Sequence, residues 1–426
     1  MNSKWKKYAS RDSVDTSDDS VSHLIKEIKS RLTLIDNGTN VSYAMGFDTL
    51  VDALFSKVEH HYILDLEITF NVFLKAVNKS FIADQNFKNP DEILRNFDSG
   101  CKNKLKVKHK FFLITSISLI NTFELPRRKT VNECVITFSK TEPNIFKRQR
   151  KELIDQMKFP KYFDHGLESQ FTWVRVSVDA PDYKTAFMKA IRSLDLYRGV
   201  WHLQIAKNRN VLAFTNESEF PTDSVVAMGM VHTLHSDTLK SFPGMLWHET
   251  RQICGRAANI RQFDIAQNQL DKFFFKINKK NDPKYRDFLN GLITNYINAL
   301  DETDHSIRFM KLWVVLEKLT DADDAKTILK RATFFYKDAK IQKAILESSK
   351  IARNISAPVG VNPYNVEMKN FQLCEYIEDI LNFFIANRFH FKKLHEVFDF
   401  ISVTTDENTI DQTIARLKLV KKYIGP

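Results

Sequence analysis

Glycine is scarce in this chain, 11 in 426 residues. Loops that wrap a phosphate use glycine for backbone positions that other residues adopt only at a cost, so phosphate-cradling loops are not expected. No G-x-x-x-x-G-K-[ST] occurs, which argues against a P-loop nucleotide engine. There is no H-E-x-x-H, and the 12 histidines show no metal-ligand spacing with carboxylates. The adjacent His60 and His61 point in different directions on a helix or a strand. A G-x-S-x-G elbow is missing as well. Cysteine is also sparse. Cys101, Cys134, Cys254 and Cys374 are widely scattered with no C-x-x-C, and they read as free thiols of a reducing compartment rather than disulfides or zinc ligands. The longest apolar run, Phe111 to Ile120, is too short to span a bilayer and includes Thr115, Ser116 and Ser118. Met1 to Ser22 lacks the apolar segment of a secretory signal. These absences lead to the expectation of a cytoplasmic protein with no membrane contact, no cofactor and no metal.

What is present describes an ordered chain. Hydrophobic residues make up 43% and charged residues 27%, the balance of a globular protein long enough for two or three domains. The net charge of +11 is uneven. From Asp301 onward 19 Lys and Arg face 18 Asp and Glu, which leaves 44 against 34 in residues 1–300. A basic surplus of this kind suits a polyanion such as nucleic acid, or serves only solubility.

Along the chain, residues 1–20 are rich in Ser and Asp and read as a disordered tail. Residues 21–281 read as a mixed α/β sensor or regulatory domain. Within it, Phe47–Val58 and Ile63–Val77 carry apolar patterns that fit either a helix or a strand. Lysines alternate through Lys102–Lys110, which places them on one face of a strand leading into the β-rich run from Phe111. That face is a phosphate-facing strip or, more plainly, a solvated or protected edge strand. A further β-run spans Val131–Phe138, and a basic cluster at Lys147–Lys151 opens a helix, either hydrated or RNA-facing. Trp173–Val178 alternates as a strand, and Asp179 and Pro181 start a helix that Gly199 is expected to end, with Val200–Ile205 returning as a strand of a βαβ unit.

Residues 282–426 are almost purely helical in pattern: Tyr285–Leu300, His305–Thr320, Asp324–Tyr336, Ile341–Asn354, Val366–Asn387, Phe391–Ile401 and Thr409–Tyr423. Asp304, Asp324 and Asp406 supply helix caps, and Phe309, Leu312, Trp313, Leu316 and Leu319 form one core-facing stripe. The fold class is therefore α+β, an N-terminal mixed α/β part followed by an all-α bundle.

Two stretches of the bundle carry chemistry. One is the helix Phe309-Met-Lys-Leu-Trp313-Val-Val-Leu-Glu317-Lys-Leu, and the other is Ile351-Ala-Arg353-Asn354, expected to close a helix and turn through Pro358 to Gly360. A short helix with Arg331-Ala lies between them. Together they resemble the HEPN superfamily of ribonucleases, particularly the ApeA-like branch of bacterial antiphage defence, over about residues 300–390. The resemblance implies a symmetric homodimer of helical domains whose paired motifs form one RNA-cleaving cleft without metal, switched on by a phage-derived trigger. It assigns Arg353 to the charge developing on phosphorus, Asn354 as the adjacent polar residue, and Glu317 to orienting the arginine. A guanidinium fork suits that charge, and a histidine titrating near neutrality suits proton transfer to and from the ribose oxygens.

In the family a histidine follows the arginine after a gap of four to six residues. Here the gap points to Pro358, Val359 or Gly360, none of which titrates. Pro358 fits either a replacement that disarms a toxic RNase or a natural pseudo-enzyme. His305, His390 and His395 are the nearest histidines in sequence. The rival reading is a non-catalytic RNA-binding protein that uses its basic N-terminal region and keeps the bundle for dimerisation. A third makes the chain the regulatory partner of another nuclease.

Overall fold

The computed structural model describes residues 3–5, 17–86, 89–120, 124–156, 171–205, 222–242, 247–248, 263–280, 282–359 and 364–424, without side chains at 17–19, 37, 247–248, 264 and 355–359. The first elements are β1 (Lys4–Trp5), α1 (Ser17–Ser30), β2 (Leu32–Ile35), β3 (Asn40–Tyr43), α2 (Phe47–Ser56), β4 (Val58–Glu59), α3 (Leu66–Ala83) and α4 (Asp91–Lys106). They enclose a core of their own, in which Phe47, Val51, Leu54, Phe73, Val77, Ile93 and Phe97 are buried together. Of the expected tail, residues 1–2 and 6–16 lie outside the described residues, while Lys4 and Trp5 pair with Glu59 and Val58. The ambiguous segments from Phe47 and Ile63 resolve as helices α2 and α3. Most of the lysine alternation is not on a strand: Lys102, Lys104 and Lys106 end α4, where cations complement the helix dipole, and of the series only Lys110 lies on β5 (His109–Ile117).

The next elements are β6 (Arg128–Val131), β7 (Cys134–Ser139), α5 (Asn144–Gln156), β8 (Thr172–Ala180), α6 (Tyr183–Ile205), β9 (Val231–Ser236) and β10 (Trp247–His248). With β5 the strands form one sheet in the order β10-β9-β5-β8-β7-β6, and every neighbouring pair is antiparallel. The run Val131–Phe138 is thus two strands, because Asn132 and Glu133 take φ of 46° and 65° and turn the chain. On one face of the sheet lies α5. Its Arg150 is no hydrated or RNA-facing cation: the side chain is buried, donates to the carbonyls of Ile114 and Val231 and to Thr233 Oγ1, and pairs with Glu142 at 3.1 Å. Cys101, Cys134 and Cys374 are buried free thiols, and Cys254 lies outside the described residues.

On the other face lies α6, which overturns the βαβ expectation. The helix does not stop at Gly199 and no strand returns over Val200–Ile205. Every residue from Ser193 to Gln204 is buried, so this half of the helix has no solvent face and its sequence loses the helical period. Gly199 marks a close approach rather than an exit. A Cβ there would lie 2.5 Å from Ile293 Cγ2 and 3.2 Å from the Ile293 carbonyl oxygen.

Ile293 belongs to the helical region, composed of α7 (Phe263–Asn278), α8 (Pro283–Leu300), α9 (His305–Thr320), α10 (Ala325–Ala332), α11 (Ala339–Val359), α12 (Val366–Ala386), α13 (Leu394–Ile401) and α14 (Glu407–Ile424). Helical character starts earlier than residue 282, at Phe263. Asp282, Asp304 and Asp324 cap their helices by accepting backbone N–H bonds, and Asp406 accepts from Thr409 in the same way. One hydrophobic core runs from the sheet through Tyr197 and Trp201 of α6 to Phe274, Ile293, Leu316 and Phe384, without a break at residue 282. A buried polar clamp reinforces the joint. Arg198 donates to Asp195, Asp301 and the Val226 carbonyl, and Ser224 donates to the same Asp301. Arg308 holds Thr222 at 2.7 Å and Asp223 at 2.6 Å. By contrast α14 has no buried residue. No helix among the described residues is long and apolar enough to cross a membrane.

Two outcomes follow from these contacts. Gly199→Ala gains about 1 kcal/mol of helix propensity but forces overlap costing about 1–3 kcal/mol. Net destabilisation is expected in urea unfolding, and unchanged or raised stability would contradict the close approach. The second concerns His235, whose imidazole is pushed down to about 4 by burial and then by the Arg150 guanidinium. The unfolded imidazole titrates near 6.5, so the folded state binds fewer protons between the two values. Stability should fall as pH drops from about 6.5 to about 4 and level off below. His235→Phe should flatten that segment of a denaturation-against-pH series, and an unaltered slope would refute the assignment.

Candidate functional site

The site is built on the polar edge of α9. Asp304 starts the helix by accepting from the N–H groups of Ser306 and Ile307, and Phe309, Leu312, Leu316 and Leu319 bury its inner stripe. Trp313 joins that stripe, 2% exposed, yet its indole needs a partner for its one N–H. Glu317, one turn on, provides it: Trp313 Nε1 donates to Glu317 Oε1 at 2.8 Å. The carboxylate is thereby held on a buried anchor at the rim of the bundle.

Arg353 reaches the same oxygen from α11. Its Nη2 lies 3.7 Å from Glu317 Oε1, and its Nη1 donates to Asn354 Oδ1 at 3.3 Å. The side chains of Arg353 and Glu317 are 38% and 26% exposed, so the pair is reachable from solvent. At 3.7 Å the contact is an ion pair rather than a hydrogen bond, and such a pair at this exposure contributes about 0–1 kcal/mol. Arg353 Nε has no acceptor among the described residues. That nitrogen is buried, whereas Nη2 is oriented by one carboxylate at a distance longer than a hydrogen bond and keeps its donors uncommitted, which is the state that suits capture of an oxyanion.

The structure therefore brings Arg353, Asn354 and Glu317 together. It does not turn the chain after Asn354: α11 continues to Val359 and includes Pro358 in its last turn. A proline there withholds one N–H, the partner of the Asn354 carbonyl, and the helix extends one residue past it. Pro358 lies five residues beyond Arg353, about 7.5 Å along the helix axis. Its side chain is outside the described residues.

The three histidines stand elsewhere. His305 sits at the start of α9, twelve residues or about 18 Å of helix from Glu317, with Nε2 3.6 Å from Glu367 Oε1. His390 occupies the turn after α12 with φ of 57°, and His395 lies on α13. Arg331 is structural: its Nη1 donates to the carbonyls of Thr320 and Asp321, closing the end of α9, and its Nε donates to Ser402 Oγ. Among the described residues no group of three or more His, Cys, Asp or Glu is placed to share an ion. Trp313, quoted in the core stripe and in the helix that carries the resemblance, was given no role at the site, and its bond to Glu317 is what sequence reasoning missed. The signal for its second role was the i,i+4 spacing to Glu317.

A pair of substitutions separates the two bonds at Glu317. Glu317→Ala removes the indole's acceptor and should cost about 1–3 kcal/mol. Glu317→Gln keeps an acceptor for Trp313 but not the charge, and should cost less than about 1 kcal/mol. Chemical denaturation reads both, and equal losses would show that the indole bond is not the anchor.

The chain matches no protein-family model, no curated protein and no solved structure.

Proposed function

We propose that the α9–α11 constellation is the anion-holding half of a HEPN-like ribonuclease site. The observation that carries this reading is the shared Glu317 oxygen, which fixes Trp313 and steers Arg353 at once. Arg353 takes the phosphate between two ribonucleotides, and Asn354 borders it. In the cleaving form a histidine takes the proton of the ribose 2′-OH as that oxygen attacks phosphorus, or returns one to the departing 5′-oxygen. The donor fork of Arg353 stabilises the negative charge that builds up on the phosphoryl oxygens meanwhile. Two copies of the bundle supply the paired motifs of one cleft. The whole is an effector of bacterial antiphage defence, acting in the cytoplasm on tRNA or mRNA when a phage-derived trigger releases it. Unstacked loops are the accessible targets.

With Pro358 at the histidine position, this chain binds the phosphate and transfers no proton. Loss of a general acid/base costs about 10²–10⁴-fold in rate, so the chain as written is catalytically impaired. That same absence of a titratable group favours the second reading, a non-catalytic RNA-binding or dimerisation protein.

Inducible expression in a bacterial host, with growth and total-RNA sequencing as readouts, tests the proposal. The chain as written should be benign. Pro358→His should arrest growth and fragment RNA, with or without infection, and Arg353→Ala added to it should restore both. Intact RNA in the histidine form, infected or not, would sink the nuclease reading.

A further inference from the structure

The relocated lysines line a feature that the C-terminal site does not use. Between α3 and α4 lies an open cavity of about 560 Å³. Lys75 and Lys79 of α3, Lys104 of α4 and His109 of β5 line it, together with the amide side chains of Asn96 and Asn103. No carboxylate lines it among the described residues. Its floor is made by Gly100, where a Cβ would lie 2.7 Å from Val72 Cγ1, so the two helices meet there as closely as a missing side chain permits.

The cations are uncompensated. Among the described residues, Lys75, Lys79, Lys104 and His109 form no ion pair, whereas Lys4, Lys129, Lys184 and Lys311 each face a carboxylate. Lys75 and Lys79 stand four apart on one helix, a like-charge spacing that weakens a helix by about 0.2–0.5 kcal/mol. Folding gains nothing from that arrangement, and an anion in the groove would reverse its sign. A second hollow of about 400 Å³ shares Ser99 and Asn103 with the first and adds Arg95, Lys102 and Lys106. Its one acid, Asp98, is already engaged by the Tyr62 hydroxyl and the Ser3 N–H. The two hollows form a basic track along α4 from Arg95 to Lys106, about 16 Å of helix.

We infer that this track binds the sugar–phosphate backbone of single-stranded RNA. The track is longer than one phosphate requires, and its amide side chains suit phosphate and ribose oxygens. A hollow of this size admits one strand, while a duplex presents a convex surface too wide to enter it. Among the described residues no Phe, Tyr or Trp lines either hollow, and His109 offers one small ring at most, so base stacking contributes little and binding is nearly indifferent to sequence. Affinity then rests on counterion release, with a log–log salt slope of about −0.7 per phosphate neutralised. The groove lies on elements separate from α9 and α11, and the inference stands apart from the cleavage reading.

Fluorescence anisotropy of the full chain with labelled twelve-nucleotide RNAs, one of mixed sequence and one of uridine only, tests it between about 50 and 200 mM salt. Both RNAs should bind alike. The triple variant Lys75→Glu, Lys79→Glu and Lys104→Glu should lose at least about tenfold in affinity, and its salt slope should flatten by about 2. Lys418→Glu, Lys421→Glu and Lys422→Glu on exposed α14 make the same change in net charge and should lose far less. Circular dichroism checks folding, and Lys79→Gln alone should give a partial loss if the triple variant does not fold. Equal losses in the groove and α14 variants would overturn the inference, as would tighter binding of a duplex, or binding of anionic phospholipid vesicles without binding of RNA.

Discussion

A side chain that is not there sets the geometry of this molecule. Because Gly199 carries no Cβ, α6 lies against Ile293 of α8, and the sheet and the helical region share one hydrophobic core. Arg198, the next residue back, uses that proximity to reach Asp195, Asp301 and the Val226 carbonyl in a site where only Asp301 keeps some exposure. Burying three charges is costly unless each is hydrogen-bonded, and stranding one of them costs about 3–5 kcal/mol. The clamp works only while α6 and α8 stay close. It also fixes the α8–α9 turn, because Asp301 leads into Asp304, the cap that starts α9, and α9 carries Trp313 and Glu317.

Much of the C-terminal half was legible in the sequence for local reasons. Asp282, Asp304 and Asp324 precede amphipathic stretches and cap them, and His305–Thr320 begins and ends where its pattern does. What escaped was non-local. The second half of α6 is buried on all sides, so its residues show no period, and Gly199 looks like a stop unless Ile293 is known to be opposite. Lys102–Lys106 alternate in a way that suits a strand face and a helix terminus equally, and only the start of β5 at His109 decides between them. The antiparallel order of the sheet depends on partners more than a hundred residues apart, such as Phe112 and His235. At the site, Arg353 and Glu317 were legible as residue types. Their pairing was expected from the family resemblance, but the anchoring of that carboxylate oxygen by Trp313 was not legible.

The distribution of charge has the same logic. Cations inside the fold, Arg150, Arg198 and Arg308, are enclosed by carbonyls and acids, and these bonds hold elements together. Cations that line the hollow between α3 and α4 without an ion pair, Lys75, Lys79 and Lys104, contribute little to folding and keep donors available for an anion. The uneven charge of the sequence thus separates into a part that holds elements together and a part that stands without ion pairs between α3 and α4.

The most direct test of the central claim is the chemistry of the cut ends. Purified Pro358→His protein, incubated with RNA in excess chelator, should leave 2′,3′-cyclic phosphate and 5′-hydroxyl termini, because the 2′-OH is the nucleophile and the 5′-oxygen leaves. Failure to cut, or 5′-phosphate ends that require a divalent ion, would contradict the account.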